Sequence, residues 1–221
     1  MVRTFGEAFE KAYRPPRHVR RALWAIEHCR TASLGGHVYR CDRCRSKTFR
    51  YNSCRNRHCP TCQSLDATAW REARAREALP VPYFHVVFTV PDALRLVFQY
   101  NAKRLYGLLF ASAWDALRSI AGDPTHLGAK IGALAVLHTW SETLCLHPHV
   151  HCIVPGGGLS ADGDRWIPSR DRFLLPVRVL SARFRSVFLR RLESAFRQGE
   201  LTVPSALGDW RHPVRLADEL D

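Results

Sequence analysis

Apolar residues recur at helical spacing from the start of the chain. Phe5, Phe9 and Tyr13 share one stripe, the Pro15-Pro16 pair interrupts it, and Val19, Leu23 and Ile26 form another. The pattern predicts two short helices over residues 3–30. Between Leu34 and Gln63 the periodicity vanishes, and Gly35-Gly36, cysteine pairs and scattered arginines take its place. Such a stretch predicts ribbons and knuckles that need a metal to hold them, because it cannot build an ordinary core. Leu65, Ala69, Ala73, Ala78 and Leu79 then predict a helix over 64–79, stopped by Pro80-Val81-Pro82. That proline pair predicts a boundary between a module at 1–80 and a second at 81–221.

The second module opens on Tyr83 to Pro91, a β-prone run with a hard stop. Residues 92–120 read as one helix with Leu94, Leu96, Val97, Leu105, Leu108, Leu109 and Leu117 on its apolar face. Ile131–Trp140 and His149–Val154 are two further strands, the latter ended by Pro155 and three glycines. Asp162-Gly163 predicts a hairpin turn, and Leu180–Gly199 a final amphipathic helix. Helices layered on a sheet, an α+β class, is the economical reading. There is no internal repeat and no low-complexity tract.

Composition narrows the partners. With 221 residues and 46% hydrophobic content the chain can bury a core, and disorder is not the default. Lys and Arg outnumber Asp and Glu by 33 to 20, a net charge of +13 that favours an anionic partner, nucleic acid first. No apolar run approaches the roughly 18 residues of a membrane helix, and the first residues do not read as a signal peptide, so a cytoplasmic location with no membrane partner is expected.

Six of the eight cysteines lie between Cys29 and Cys62. In a reducing compartment such crowding reads as metal binding. Cys41-Asp42-Arg43-Cys44 and Cys59-Pro60-Thr61-Cys62 are two CxxC knuckles, and each can offer two thiolates to one side of a tetrahedral zinc ion. Cys29, His37, Cys54 and His58 are left over. They form either a second tetrahedral set or ordinary packing and surface positions, so one or two zinc ions are expected. Around these ligands Arg43, Arg45, Arg50, Arg55 and Arg57 interleave with Tyr39, Phe49 and Tyr51, a composition suited to phosphates and bases.

His147-Pro148-His149-Val150-His151 enters the third strand. Alternation sends His149 and His151 to one face, with roots about 7 Å apart, and two imidazoles so placed can grip one cation. A third ligand must come from a neighbouring element. Glu142 ranks first and His138 next, with His85 behind them. Histidine with carboxylate suits several divalent ions, and beside a DNA-binding signal it points to phosphodiester chemistry.

These residues resemble a known family, the rolling-circle transposases of insertion-sequence family ninety-one, in the HUH endonuclease superfamily. Tyr51 to Gln63 resembles its zinc signature, Phe84 to Pro91 its first catalytic-domain strand, and Val136 to Trp140 with His147 to Gly158 the HUH motif and its surroundings. The resemblance implies a small zinc-ribbon-like module followed by a partial, Rep-like antiparallel sheet with flanking helices. It implies single-stranded or transposon-end DNA as partner and Mg2+ or Mn2+ at His149 and His151. It also implies cleavage by a tyrosine, carried on a helix well after the HUH strand, that leaves a 5′ phosphotyrosine and a free 3′ hydroxyl. Here Tyr13, Tyr39, Tyr51, Tyr83, Tyr100 and Tyr106 all precede His151. The expectation is therefore a truncated or partial transposase that binds metal and DNA without self-sufficient cleavage. Two other readings stand beside it: a zinc-dependent hydrolase using His149, His151 and Glu142 or His138 on water, and a DNA-binding regulator with a vestigial histidine site.

Overall fold

The structure, a computed structural model, describes residues 2–143 and 145–202. It contains two compact units, one up to Ala78 and one from Leu79 onward.

In the first unit the two apolar stripes form α1 (Val2–Tyr13) and α2 (Arg17–Glu27), separated by the two prolines. The strands β1 (Gly36–Arg40) and β2 (Lys47–Tyr51) pair antiparallel from Gly36↔Tyr51 to Arg40↔Lys47, with all ten residues exposed. The helix expected from residue 64 begins earlier: α3 spans Pro60–Arg76. Pro60 occupies the first helical position, where its missing N–H is no loss, and Cys59 is the N-cap. The second CxxC knuckle is thereby wound into a helix start, with Cys59 and Cys62 three residues apart on one side. Among the described side chains of this unit only Pro15, Cys29 and Cys59 are buried, so its interior is made largely of thiols.

The second unit is built on a three-stranded antiparallel sheet in the order β3-β5-β4, from β3 (Tyr83–Thr89), β4 (Leu134–Trp140) and β5 (Leu146–Pro155). On central β5 burial alternates. Pro148, Val150, Cys152 and Val154 are buried on one face, while His147, His149, His151 and Ile153 lie on the other. The buried face packs on two long helices, α5 (Ala102–Gly122) and α6 (Val177–Arg197). Leu105, Leu109, Ala113, Leu117 and Ala121 recur every four residues along α5, each no more than 2% exposed. Each fully buried leucine among them contributes about 1.5–3 kcal/mol of transfer free energy.

The single helix expected over 92–120 is interrupted. A 3-10 turn at Asp92–Leu94 leads into α4 (Arg95–Tyr100), and α5 starts after Asn101. Asn101 Nδ2 donates to the carbonyls of Val97 and Thr202, and its Oδ1 accepts from the Thr202 N–H. A short amide that bonds backbone groups competes with the helical ladder, which explains the break. After the sheet, β6 (Gly157–Leu159) and β7 (Trp166–Pro168) form a hairpin around the Asp162-Gly163 turn. Gly157 has φ +147°, and a Cβ there would lie 2.5 Å from the Ile167 carbonyl oxygen, so only glycine fits this exit from the sheet.

Candidate functional sites: a thiol cluster and a histidine cleft

Within the first unit, Cys29, Cys54, Cys59 and Cys62 place their sulfurs within 4.8 Å of one another. Cys29 Sγ lies 3.5 Å and Cys54 Sγ 3.6 Å from Cys62 Sγ. Four thiolates at about 2.3 Å from one tetrahedral zinc ion lie about 3.8 Å apart, so the group fits zinc with little rearrangement. The segments are tied together by the Arg30 N–H donating to the Asn52 carbonyl at 3.1 Å, and within the second of them the Asn56 N–H approaches Cys54 Sγ at 3.5 Å. Burial raises the Cys29 thiol and pushes that of Cys54 up to about 12. Burial acts the same way on Cys59, but there the Cys62 amide and the thiols of Cys29, Cys54 and Cys62 outweigh it and bring the group down to about 7. The Cys59 thiol, at the start of α3, thus ionises before those of Cys29 and Cys54, as the positive end of a helix dipole favours.

This grouping differs from the spacing-based expectation. The cluster takes Cys59 and Cys62 from one expected set and Cys29 and Cys54 from the other. Cys41 and Cys44 sit at the exposed tip of the β1-β2 hairpin, four register steps, or roughly 13 Å, from its base. Cys54 follows that base, and the cluster forms on its side. Cys44 Sγ contacts the Ser46 hydroxyl at 3.2 Å, and that hydroxyl, the Ser46 amide and the Cys41 thiol draw the Cys44 thiol down to about 7. His37 lies exposed on β1 opposite Arg50, and His58 is exposed beside the Arg57 guanidinium, whose Nε donates to His58 Nε2 at 3.3 Å. Neither joins a metal-holding group among the described residues.

The five expected arginines, Arg43, Arg45, Arg50, Arg55 and Arg57, are all exposed. Arg50 and Arg55 line an open concavity of about 720 Å³ with Arg30, His37, Phe49 and Tyr51. Arg55 and Arg57 also line a groove of about 970 Å³ against α2, where Arg17 and Arg21 join them over Val19, Ala22, Leu23 and Ile26. Arg17 and Arg21 precede the cysteine segment and Arg30 directly follows Cys29, and none of the three stands out in the sequence as the five do; the four-residue spacing of Arg17 and Arg21 on α2 is the signal that points to those two.

Within the second unit, His138, His149 and His151 bring one ring nitrogen each within 4.8 Å of the others. The register explains the meeting: His138 on β4 pairs directly with His149 on β5, and His151 follows two residues on, on the same face. The ring centroids of His138 and His151 are 4.2 Å apart, and those of His149 and His151 4.8 Å. His149 Nδ1 lies 2.7 Å from the His147 carbonyl oxygen, and His151 Nδ1 lies 2.6 Å from His85 Nε2. His151 Nε2 is buried with no hydrogen-bond partner among the described residues. Burial first, and then the neighbouring His138, His149 and His85, hold the His151 imidazole below its ordinary value, which keeps it neutral as a ligand must be. The cluster opens into a cleft of about 520 Å³ that Trp140, Ser141 and Glu142 also line.

Glu142, ranked first as the third ligand from sequence, borders this cleft but is not part of the histidine group, which His138 joins instead. Glu142 lies in the turn beyond the end of β4, whereas His138 is held by strand pairing. His147 turns to Asp92, with Nδ1 at 3.3 Å from Oδ1.

Comparison with known proteins finds transposase families over the four-thiol module and, further along the chain, over two strands of the histidine-faced sheet. Residues 1–90 match the family described as "Transposase zinc-binding domain" and residues 132–217 the family described as "Putative transposase". The chain belongs to the IS91 family of insertion-sequence transposases. It is 52% identical over 208 residues to "Putative transposase y4qJ" of Sinorhizobium fredii, a match covering 94% of this chain and 52% of that protein. It is 35% identical over 137 residues to "Transposase for insertion sequence element IS801" of Pseudomonas savastanoi pv. phaseolicola, covering 61% of this chain and 32% of the relative. The chain therefore spans about half the length of the first of these relatives and about a third of the second. No solved structure matches it. No helix among the described residues is long and apolar enough to cross a membrane.

Proposed function

We propose that this chain binds single-stranded DNA of an insertion-sequence end on its arginine-rich module and holds a divalent ion at His138, His149 and His151 for the nicking and joining of that strand. The observation that carries the reading is the convergence of three imidazoles on the open face of the β4-β5 pair, with one buried ring nitrogen left without a partner among the described residues. When bound, the ion would polarise a phosphodiester and offset the charge that develops as the bond breaks. Arg30, Arg50 and Arg55 supply phosphate contacts while Phe49 and Tyr51 offer ring faces to bases. Trp140, its ring centroid 4.6 Å from that of His138, provides a stacking surface at the cleft. An all-imidazole donor set favours Mn2+ over Mg2+. In this scheme a tyrosine hydroxyl attacks the phosphorus, and because every tyrosine of the sequence precedes His151, the chain alone is expected to bind ion and DNA without forming a covalent adduct.

Anisotropy titration of a labelled single-stranded end oligonucleotide at 50 and 200 mM NaCl tests the DNA half. Affinity is expected to fall steeply with salt, and Arg55→Ala with Arg57→Ala to reduce the log-log slope by about 1.4, or 0.7 per lost phosphate contact. Salt-independent affinity would overturn it. Three histidines around an open cleft also suit a catalytic zinc ion that activates water, and cleavage of the oligonucleotide by the chain alone, without a protein adduct, would decide for that second reading.

A further inference from the structure

An imidazole that binds an ion through one nitrogen must carry its proton on the other. For His149 the backbone decides the matter. Its Nδ1 faces the His147 carbonyl oxygen at 2.7 Å, and a carbonyl can only accept, so Nδ1 holds the proton and Nε2 presents a lone pair. Among the described residues no carbonyl is paired with His151 Nδ1. Its partner is His85 Nε2 at 2.6 Å, and between two imidazoles either nitrogen can be the donor.

The surroundings break the tie. If His85 donated, the proton of His151 would sit on Nε2, a buried atom with no acceptor among the described residues. That would leave a buried donor unsatisfied. If His151 donates from Nδ1, Nε2 is a bare lone pair beside the other two histidines, and the proton of His85 moves to its own Nδ1. His85 is an exposed residue, so water can solvate that second N–H. The two ring planes lie within 12° of parallel with centroids 4.8 Å apart, a separation that the 2.6 Å contact and two ring radii nearly fill. The rings meet edge to edge, as an in-plane N–H···N bond requires. The sheet sets this up: β3 places His85 opposite Ile153 and Val87 opposite His151, so His85 reaches diagonally across the outer face.

We infer that His85 is a positioning residue: its Nε2 accepts the Nδ1 proton of His151 and thereby commits His151 Nε2 to the ion. The inference rests on the ion-binding reading above. It assigns His85 a role different from the direct ligation considered from sequence, because its ring nitrogen lies outside the three-histidine group. It also gives both strand histidines one logic, in which an acceptor behind the ring frees the nitrogen in front.

Two measurements test it on the full chain. In the chain loaded with one equivalent of zinc at its thiol cluster and with no Mn2+ added, long-range proton–nitrogen NMR of the histidines at pH 8 is expected to show His151 with its proton on Nδ1. Finding it on Nε2 overturns the inference directly. Mn2+ affinity by electron paramagnetic resonance is the second arm, chosen because Mn2+ avoids the thiol cluster. His85→Ala is expected to weaken binding about 10- to 100-fold, whereas His85→Gln, whose amide oxygen still accepts, stays within about 3-fold of the parent. His85→Lys, which can only donate, should bind no better than His85→Ala. Equal binding by parent and His85→Ala, or equal losses in the Ala and Gln variants at matched thermal midpoints, would overturn the positioning role. If His149→Ala leaves Mn2+ binding unchanged, the ion-binding reading fails, and the NMR result still decides the hydrogen bond.

Discussion

Replacing Cys54 by alanine removes one sulfur from the four-thiol cluster, while replacing Cys41 and Cys44 together removes two sulfurs from the hairpin tip. Spacing alone makes the second change the more damaging, and the structure reverses that order. Zinc held by four thiolates in a small domain is worth about 10–16 kcal/mol at neutral pH. A quarter of about 12 kcal/mol is about 3 kcal/mol, or roughly 100-fold in zinc affinity per thiolate lost, at 1.4 kcal/mol per decade. The first unit has little to set against this loss, since Pro15, Cys29 and Cys59 are its only buried residues among the described side chains. A domain of ordinary stability has about 5–15 kcal/mol in total. Cys54→Ala is therefore expected to release one equivalent of zinc to a chromogenic chelator at concentrations that leave the parent loaded, and to lose helical signal and amide protection within residues 2–78. Cys41→Ala with Cys44→Ala should keep that zinc and that protection. The reasoning fails if the double variant loses the zinc that Cys54→Ala retains, or if a fully demetallated chain keeps native exchange protection in this unit.

Thiol reactivity should separate Cys44 from Cys152. The Ser46 hydroxyl, the Ser46 amide and Cys41 draw Cys44 down to about 7, whereas burial pushes Cys152 up to about 11. At pH 7.5, iodoacetamide followed by peptide mass mapping is expected to modify Cys44 readily and Cys152 only after denaturation; rapid labelling of Cys152 in the folded chain would contradict its placement beneath the sheet. Acid should loosen the contact between α5 and α6. Burial opposes ionisation of Asp115, but its pairing with Arg191 and Arg118 prevails and holds the carboxyl below its usual value. A carboxyl lowered in the native state contributes stability that is present above the unfolded value near 3.9 and is lost as pH falls through the native one. Asp115→Asn is expected to cost about 1–2 kcal/mol at pH 7, between the values for exposed and buried charged hydrogen bonds. Urea unfolding at pH 7 and pH 3 checks this, because the cost should shrink at pH 3; an equal cost at both would remove the ion pair as its cause.

Much of the architecture was legible before folding was considered. The two N-terminal stripes, the apolar run from Tyr83, the alternation in His149-Val150-His151 and the Asp162-Gly163 turn each depend on contacts within a few residues, where period and turn chemistry act directly. What depended on partners distant in the chain was decided by the tertiary structure. Asn101 breaks a continuous apolar helix because its amide finds the backbone at Thr202, about one hundred residues away. Cys29 joins Cys54, Cys59 and Cys62 because Arg30 is pinned to Asn52, while a five-pair hairpin carries the more conspicuous Cys41-Cys44 knuckle off to its tip. His138 joins His149 and His151 because strand register sets it directly opposite His149, whereas Glu142 lies beyond the end of that strand. The sequence alone determined which residue types could bind an ion, through their chemistry and local spacing. Which of them share one ion is a matter of pairing between separate segments, and that is set only when hydrogen-bonded register and the packing beneath the sheet bring those segments together.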